Sequence, residues 1–271
     1  MTKPSTLKQS RVFQNLLDWS GSAWFIIAAI GQLGFIVFII GFYGTRIFFG
    51  NIAAWSDKNL IDGYIEGDLA GNLMFAIHVL TAAVMILSGL IQLTPQIRKR
   101  APHLHRISGR IYLVTACFLA VGGLWMTWIR GTHLNIIGAY AITLDAILIL
   151  VCAYNTVKNA ILRDIKTHQR WAMRLFMAAN GVWFMRVSIM AWMIIAGGPV
   201  GMNQDMSGPA NHAMAFGCYL IPLGLYELYR ISRQIPSIGF KIATTILMCI
   251  AIMFTGLGVF GTINSMWMPY L

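Results

Sequence analysis

Charged residues are scarce in this chain, and acidic residues are the scarcest. Of its 271 residues only 11% are charged, against roughly 25% in an ordinary soluble domain, and 9 Asp and Glu stand against 20 Lys and Arg. The four cysteines all fall inside apolar stretches, so neither a disulfide framework nor a zinc knuckle is indicated. The chain has no Walker loop, HExxH, GxSxG or dinucleotide fingerprint. These absences exclude a soluble domain and argue against soluble cofactor chemistry.

The chain instead has long apolar runs, in a composition that is 58% hydrophobic. A bilayer core about 30 Å thick needs about 20 apolar residues per helix, and seven runs approach that length. We therefore predict an all-α, polytopic membrane protein with a single integral-membrane domain over residues 1–271, in which residues 22–262 form a bundle of seven transmembrane helices. The predicted spans are 22–42, 72–94, 110–129, 136–157, 172–196, 212–228 and 241–262.

The positions of the basic residues predict how this bundle is oriented. Sixteen of the 20 Lys and Arg fall in the N-terminal tail or in the connections after the second, fourth and sixth runs. Because Lys and Arg concentrate on the cytoplasmic side of membranes, we expect the N-terminus inside and the C-terminus outside. The net charge of +11 then indicates the orientation of the bundle. The basic residues also form a surface at the inner face that would attract anionic lipid headgroups. No folded basic domain remains that would bind nucleic acid.

Two segments outside the predicted spans have patterns of their own. Residues 1–21 place apolar side chains at helical spacing beside Lys8 and Arg11, which predicts a cytoplasmic interfacial helix on the inner leaflet. The longest outer loop, residues 43–71, carries Trp55 and several acidic residues. It is either a solvated cap packed on the bundle or an access port or docking surface.

Four of the six histidines lie on four different predicted helices, two near each membrane face. His78 and His212 lie towards the outer side, and His105 and His168 lie at the inner starts of their helices. Fifteen residues separate His78 from the inner end of its helix, or about 22 Å at 1.5 Å per residue. This layout predicts one or two b haems, each held by a pair of histidines from two helices. In arrangement it resembles the cytochrome b561 type of transmembrane electron carrier.

A plainer interpretation stays open for three of these histidines. At a helix end, His105, His168 and His212 would also serve as interfacial residues bonded to a carbonyl or a lipid phosphate. His78 lies deeper, and an ionisable group inside the membrane is a functional-site hypothesis by default. A haem against a helix also needs small residues beside its ligand, and Gly109 and Ala172 each follow an inner histidine by four residues.

Around the inner histidines the sequence reads LHRISGRIY at 104–112 and HQRWAMR at 168–174. With the helix-2 histidine and the SGLIQL stretch at 88–93, these motifs resemble a family of bacterial membrane proteins catalogued as a domain of unknown function (2306), over residues 72–190. The resemblance implies a multi-pass protein of the bacterial cytoplasmic membrane and brings no established reaction. The residues that carry over from the family pattern are His78, His105, Arg106, Gly109, Arg110, His168, Arg170, Trp171 and Arg174.

The same two motifs place arginines beside each inner histidine, at the N-terminus of a helix. Helix N-termini attract anions through free N–H groups and the helix dipole, and arginine adds bidentate contacts. Haem propionates suit this environment, and so would a phosphorylated substrate or a lipid headgroup. Alternatively, the arginines only anchor the helices in the inner leaflet.

Two charged residues lie deep inside the predicted spans, far from the span ends. Asp145 and Arg186 lie at one depth on neighbouring antiparallel helices. A buried ion pair between them is the natural way to avoid an isolated charge in hydrocarbon. A proton path, or Arg186 facing a propionate of an outer haem, is the alternative.

These observations favour a transmembrane b-type cytochrome that moves electrons between a membrane donor such as quinol and an acceptor across the bilayer. An inner haem would be held by His105 and His168, and an outer one by His78 and His212. The alternative is a proton-coupled transporter or small-ligand membrane receptor, whose cavity would be lined by His78, Asp145 and Arg186. A zinc-dependent hydrolase needs three ligands in one site, and histidines split between opposite faces argue against it.

Overall fold

A computed structural model describes residues 4–57 and 63–271, with side chains from residue 11 onward. This part of the chain is helical and contains no strand, as the apolar runs predict. We number the main helices in chain order. They are α1 (Pro4–Phe38), α2 (Leu69–Leu93), α3 (Pro102–Trp128), α4 (Ile136–Ile161), α5 (Ile165–Ala179), α6 (Gly181–Ala196), α7 (Pro209–Ser232) and α8 (Ile238–Gly261).

Length and composition allow five of the helical stretches to cross a membrane. They are Arg11–Phe48, Leu69–Leu93, Pro102–Trp128, Ile136–Ile161 and Ile238–Tyr270, and α5 with α6 makes a sixth if this bent pair is one span. The predicted sixth span falls on α7, which is helical but not among these candidates. Polar residues at both ends of α7, such as Asn211 and Glu227, lower its hydropathy. A multi-pass membrane bundle is therefore confirmed, while seven spans and their orientation stay predictions.

Local sequence signals explain where the helices begin. The side chains of Asp68, Asn135 and Asp164 precede α2, α4 and α5, and each accepts a hydrogen bond from a backbone N–H in the first turn. Such caps satisfy N–H groups that have no partner within the helix. α3 and α7 begin with proline, whose missing N–H costs nothing at that position.

The expected fifth helix is broken in the middle. α5 ends at Ala179, α6 begins at Gly181, and the two are bent by 54°. Asn180 at the break donates a hydrogen bond to the Phe176 carbonyl (2.8 Å) and accepts one from Gln32 Nε2 on α1 (3.1 Å). Both amide side chains are fully buried, so a polar contact stabilises the break inside an apolar bundle.

The two segments predicted to lie outside the spans pack differently from one another. α1 continues without interruption from Pro4 to Phe38, so the described residues of the predicted interfacial segment extend the first long helix. In the long loop, Trp55 is buried and lies against Phe75 of α2, with ring centroids 5.8 Å apart. The described part of this loop is therefore a cap that packs on the bundle, and the predicted acidic residue Asp62 lies outside the described residues.

Candidate functional site

A large cavity lies inside the bundle, with a volume of about 1790 Å³. His105 of α3 and His168 of α5 both line it, together with Arg106, Gly109 and Arg110. The two imidazoles are close enough to interact electrostatically. Each histidine is the fourth residue of its helix. We call this part of the cavity the histidine end.

His168 is held by a backbone carbonyl of the neighbouring helix. Its Nδ1 lies 2.9 Å from the carbonyl oxygen of Thr156 in α4. A carbonyl only accepts hydrogen bonds, so Nδ1 carries a proton, and in the neutral ring the lone pair is then on Nε2. Histidines that bind metals commonly show this arrangement, since a bond at one ring nitrogen fixes the tautomer and the orientation of the other.

His105 is positioned through its backbone. Gln92 of α2 donates to the carbonyl of His105 and, at 2.6 Å, to the hydroxyl of Ser108. Nδ1 of His105 is buried and has no hydrogen-bond partner among the described residues. A Cβ at Gly109 would lie only 3.0 Å from Gln92 Oε1, so a side chain there would disturb the glutamine that positions the histidine. Gln92 and Ser108 belong to the family-like motifs, but the sequence did not indicate this role.

The predicted arginine cluster is divided. Arg106 and Arg110 line the cavity, but Arg170, Trp171 and Arg174 do not. The side chain of Arg174 instead donates to Glu227 of α7 (2.7 Å) and lies over the Trp171 ring, 4.4 Å from its centroid.

Helix geometry explains this difference. Arginines follow His105 by one and five residues but follow His168 by two and six. One additional residue rotates a helical side chain by about 100°, which turns the second pair away from the cavity. Gln169 and Met173 stand at the cavity-lining positions instead.

The predicted outer histidines have separate surroundings. His78 of α2 faces two glycines of α3, since a Cβ at Gly122 would lie 3.4 Å from its Nδ1 and one at Gly123 3.8 Å from its Cε1. His212 interacts electrostatically with Asp205, in the loop before α7. Neither histidine is among the described residues that line the cavity. No described residues form a group of three or more His, Cys, Asp or Glu side chains suited to a metal ion.

The expected ion pair between Asp145 and Arg186 is not formed among the described residues. Arg186 donates to the Val182 carbonyl (3.0 Å) and lies over the ring of Phe35, 5.1 Å from its centroid. Asp145 lies against the backbone of Gly181, at the start of α6, and its buried Oδ1 has no hydrogen-bond partner in the part of the chain that the structure describes. Equal depth along the membrane was therefore not enough to predict an ion pair, because the two side chains extend from their helices towards different neighbours.

A second polar cluster lies beyond the C-terminal end of α3, at the opposite end from His105. Arg130 donates to Asp68 (2.8 Å) and to Asn72 (2.8 Å), and its side chain is 3% exposed. The hydrogen bond from Arg130 and that from the Gly71 N–H hold the pKa of Asp68 below its ordinary value. This cluster joins the loop cap to α2 and α3, and none of its residues lines the cavity.

Comparison with known proteins identifies a family. The sequence model of a family described as predicted membrane protein (DUF2306) matches residues 75–230. The match therefore extends beyond residue 190, the end expected from the motifs, and includes His212 as well as His78, His105 and His168. No curated protein and no solved structure matches the chain.

Proposed function

This chain belongs to the family of predicted membrane proteins DUF2306, and on that premise we propose that it is a membrane b-type cytochrome. His105 and His168 would hold one haem b at the histidine end of the cavity. We place the protein in the bacterial cytoplasmic membrane, with this end facing the cytoplasm as the basic residues predict. A quinol or another membrane donor and an acceptor protein are the expected redox partners.

The observation that carries this proposal is the hydrogen bond between His168 Nδ1 and the Thr156 carbonyl. In the neutral ring this bond leaves the lone pair on Nε2, which is the form that a haem ligand needs, and the ring lines the cavity. His105 lines the same cavity from the start of α3, and its buried Nδ1 has no partner among the described residues. His105 and His168 line one cavity, and together they would hold the iron of a b haem.

The remaining residues of the histidine end fit the rest of such a group. Gly109 and Ala172 line the cavity four residues after each histidine, so no bulky side chain blocks the space beside the rings. Arg106 and Arg110 supply positive charge that suits two propionates. When bound, the haem would supply one-electron transfer, and the protein would orient it and exclude water.

The test is the absorption spectrum of protein purified in mild detergent after supply of haem. We expect a Soret band with reducible b-type features, lost in His105→Ala and in His168→Ala. His103→Ala is the matched control, because His103 precedes His105 by two residues on the same helix, is exposed and does not line the cavity. No Soret band in the unaltered protein, or equal loss in the control, would refute the proposal.

A receptor or transporter of a small apolar ligand is the second candidate, and the size of the cavity favours it. Small-molecule sites usually enclose about 300–1,000 Å³, and this cavity has about 1790 Å³. Its ligand would contact the cavity walls and not the predicted set of His78, Asp145 and Arg186, none of which lines it. Saturable binding of such a ligand by haem-free protein, with full occupancy, would favour this candidate.

A further inference from the structure

The cavity is larger than a single cofactor at the histidine end would need. Beyond that end its walls are mostly apolar and come from α1, α6, α7 and α8, with Trp24, Phe184 and Phe254 among the lining residues. A cofactor between α3 and α5 would leave this apolar part of the cavity to a second ligand. We call it the apolar limb.

The apolar limb opens sideways, through its wall of α7 and α8. Ile221 of α7 and Ile250 of α8 line the cavity, and yet they are 63% and 58% exposed. Side chains that combine these two properties lie at a rim where the cavity meets the exterior. Each is the thirteenth residue of its 24-residue helix, about 18 Å from the helix start. α8 is long and apolar enough to cross a membrane, so the opening beside Ile250 lies at mid-depth of the bundle, where lipid tails surround a membrane protein.

α7 is locally weakened beside this opening. Pro222 follows Ile221 inside the helix and also lines the cavity. Proline has no N–H to donate to the carbonyl four residues earlier, here that of Cys218, and its ring crowds that carbonyl. Such positions allow a helix to bend, which is what passage of a ligand between α7 and α8 requires.

We propose that the apolar limb binds the isoprenoid tail of a quinone, which enters from the bilayer between α7 and α8 with its head directed to the histidine end. A ligand that uses an opening at mid-membrane must be lipid-borne, because water-soluble molecules do not reach that depth. Gln96, Arg98 and Gln169 line the histidine end and are not assigned to the haem, so they can donate hydrogen bonds to the oxygens of the head, while the limb offers mainly apolar contacts. The choice of a redox-active head rests on the proposed cytochrome function; the tail site and the lateral route do not.

The experiment compares two quinones with one head group, a menaquinone with a long isoprenoid tail and tailless menadione. Binding to the protein in lipid nanodiscs is followed by quenching of tryptophan emission, since Trp24 and Trp192 line the cavity. The blocking variant is Ala251→Phe, which fills the limb from α8; its control is Ala243→Phe, the same substitution on the same helix at an exposed position that does not line the cavity. We expect Ala251→Phe to weaken menaquinone binding at least about tenfold and to change menadione binding little, with the control near the unaltered protein.

A second pair of variants decides the matter if Ala251→Phe does not fold. Ile221→Phe narrows the rim, and Leu220→Phe is its control, 44% exposed and not lining the cavity. Equal affinity for the tailed and tailless quinones, or equal loss in a variant and its control, overturns the inference. A Soret band without tail-dependent binding would refute this inference alone, and tail-dependent binding without a Soret band would refute the cytochrome alone.

Discussion

The contact between α6 and α8 forms one wall of the apolar limb, and it depends on Gly258. A Cβ at Gly258 would collide with the carbonyl oxygen of Val187 and lie 2.6 Å from its Cγ1 and 2.9 Å from its carbonyl carbon. Two of these three atoms are backbone, which cannot rotate away, so Gly258→Ala must force the two helices apart. Small residues at helix contacts commonly allow such close approach in membrane bundles.

The expected magnitude follows from two opposing effects. Overpacking costs about 1–3 kcal/mol, and replacing glycine by alanine inside a helix returns up to about 1 kcal/mol. We therefore expect Gly258→Ala to lower the free energy of unfolding by about 1–2 kcal/mol. Gly256→Ala is the control, because the nearest atom to its added Cβ is Ile27 Cδ1 at 4.0 Å, and it should be neutral or stabilising.

The assay is thermal unfolding in detergent micelles, followed by tryptophan emission. A difference of about 2 kcal/mol between the two variants corresponds to roughly 4–8 °C in Tm for a chain of this size. If Gly258→Ala unfolds at the same temperature as Gly256→Ala, or above it, the close approach of α6 and α8 is not a packing constraint and the reasoning fails.

Three further predictions concern the polar residues. Arg106→Gln should shift the midpoint potential of a haem-loaded protein. Arg174 binds Glu227 and does not line the cavity, so Arg174→Gln should leave this potential unchanged. Redox titration compares the two variants. Asn180→Ala should destabilise the fold by about 1–3 kcal/mol, because buried Gln32 loses its acceptor; denaturant titration against Asn264→Ala, an exposed asparagine, checks it. Because the folded pKa of Asp68 is lowered, its charge stabilises the fold above its unfolded pKa of about 3.9, and this contribution is lost as pH falls through the lower folded value. In Tm measured from about pH 6 to pH 3, Asp68→Asn should therefore lose less stability than the unaltered protein.

The helices were predictable from the sequence, whereas the break between α5 and α6 was not. Runs of about 20 apolar residues identify spans through composition alone, and residues 172–196 form one such run. The break depends on Asn180, whose acceptor oxygen is used by Gln32 on the distant helix α1. A contact between distant residues leaves no trace in local hydropathy. The Asp145–Arg186 pair was wrongly predicted for a related reason. The depth of a residue along its helix does not specify the direction in which its side chain points.

The histidine end was predictable in part, and the part that failed has a simple geometric cause. The rule that helical neighbours recur three or four residues apart correctly places Gly109 beside His105 and Ala172 beside His168. The same rule, applied to the arginines, separates Arg106 and Arg110 from Arg170 and Arg174, because the spacing from histidine differs by one residue. The two motifs have similar sequences, but their arginines lie on different faces of their helices.

The positions of the remaining histidines bear on how many haems the proposed cytochrome would hold. A ladder of two haems across the bilayer needs a second pair of imidazoles on one cavity, but His78 faces α3 and His212 lies near the loop before α7. With one haem at the histidine end, there would be no second haem through which electrons could reach the other face of the membrane. A quinone that enters at mid-membrane and directs its head to the same end would then be the natural exchange partner, because it carries electrons and protons within the bilayer itself. Under the proposed function the protein would be a one-haem oxidoreductase that works at one face of the membrane. We then expect His78→Ala and His212→Ala to leave the Soret absorbance unchanged, and a halved band in either variant would support the two-haem ladder instead.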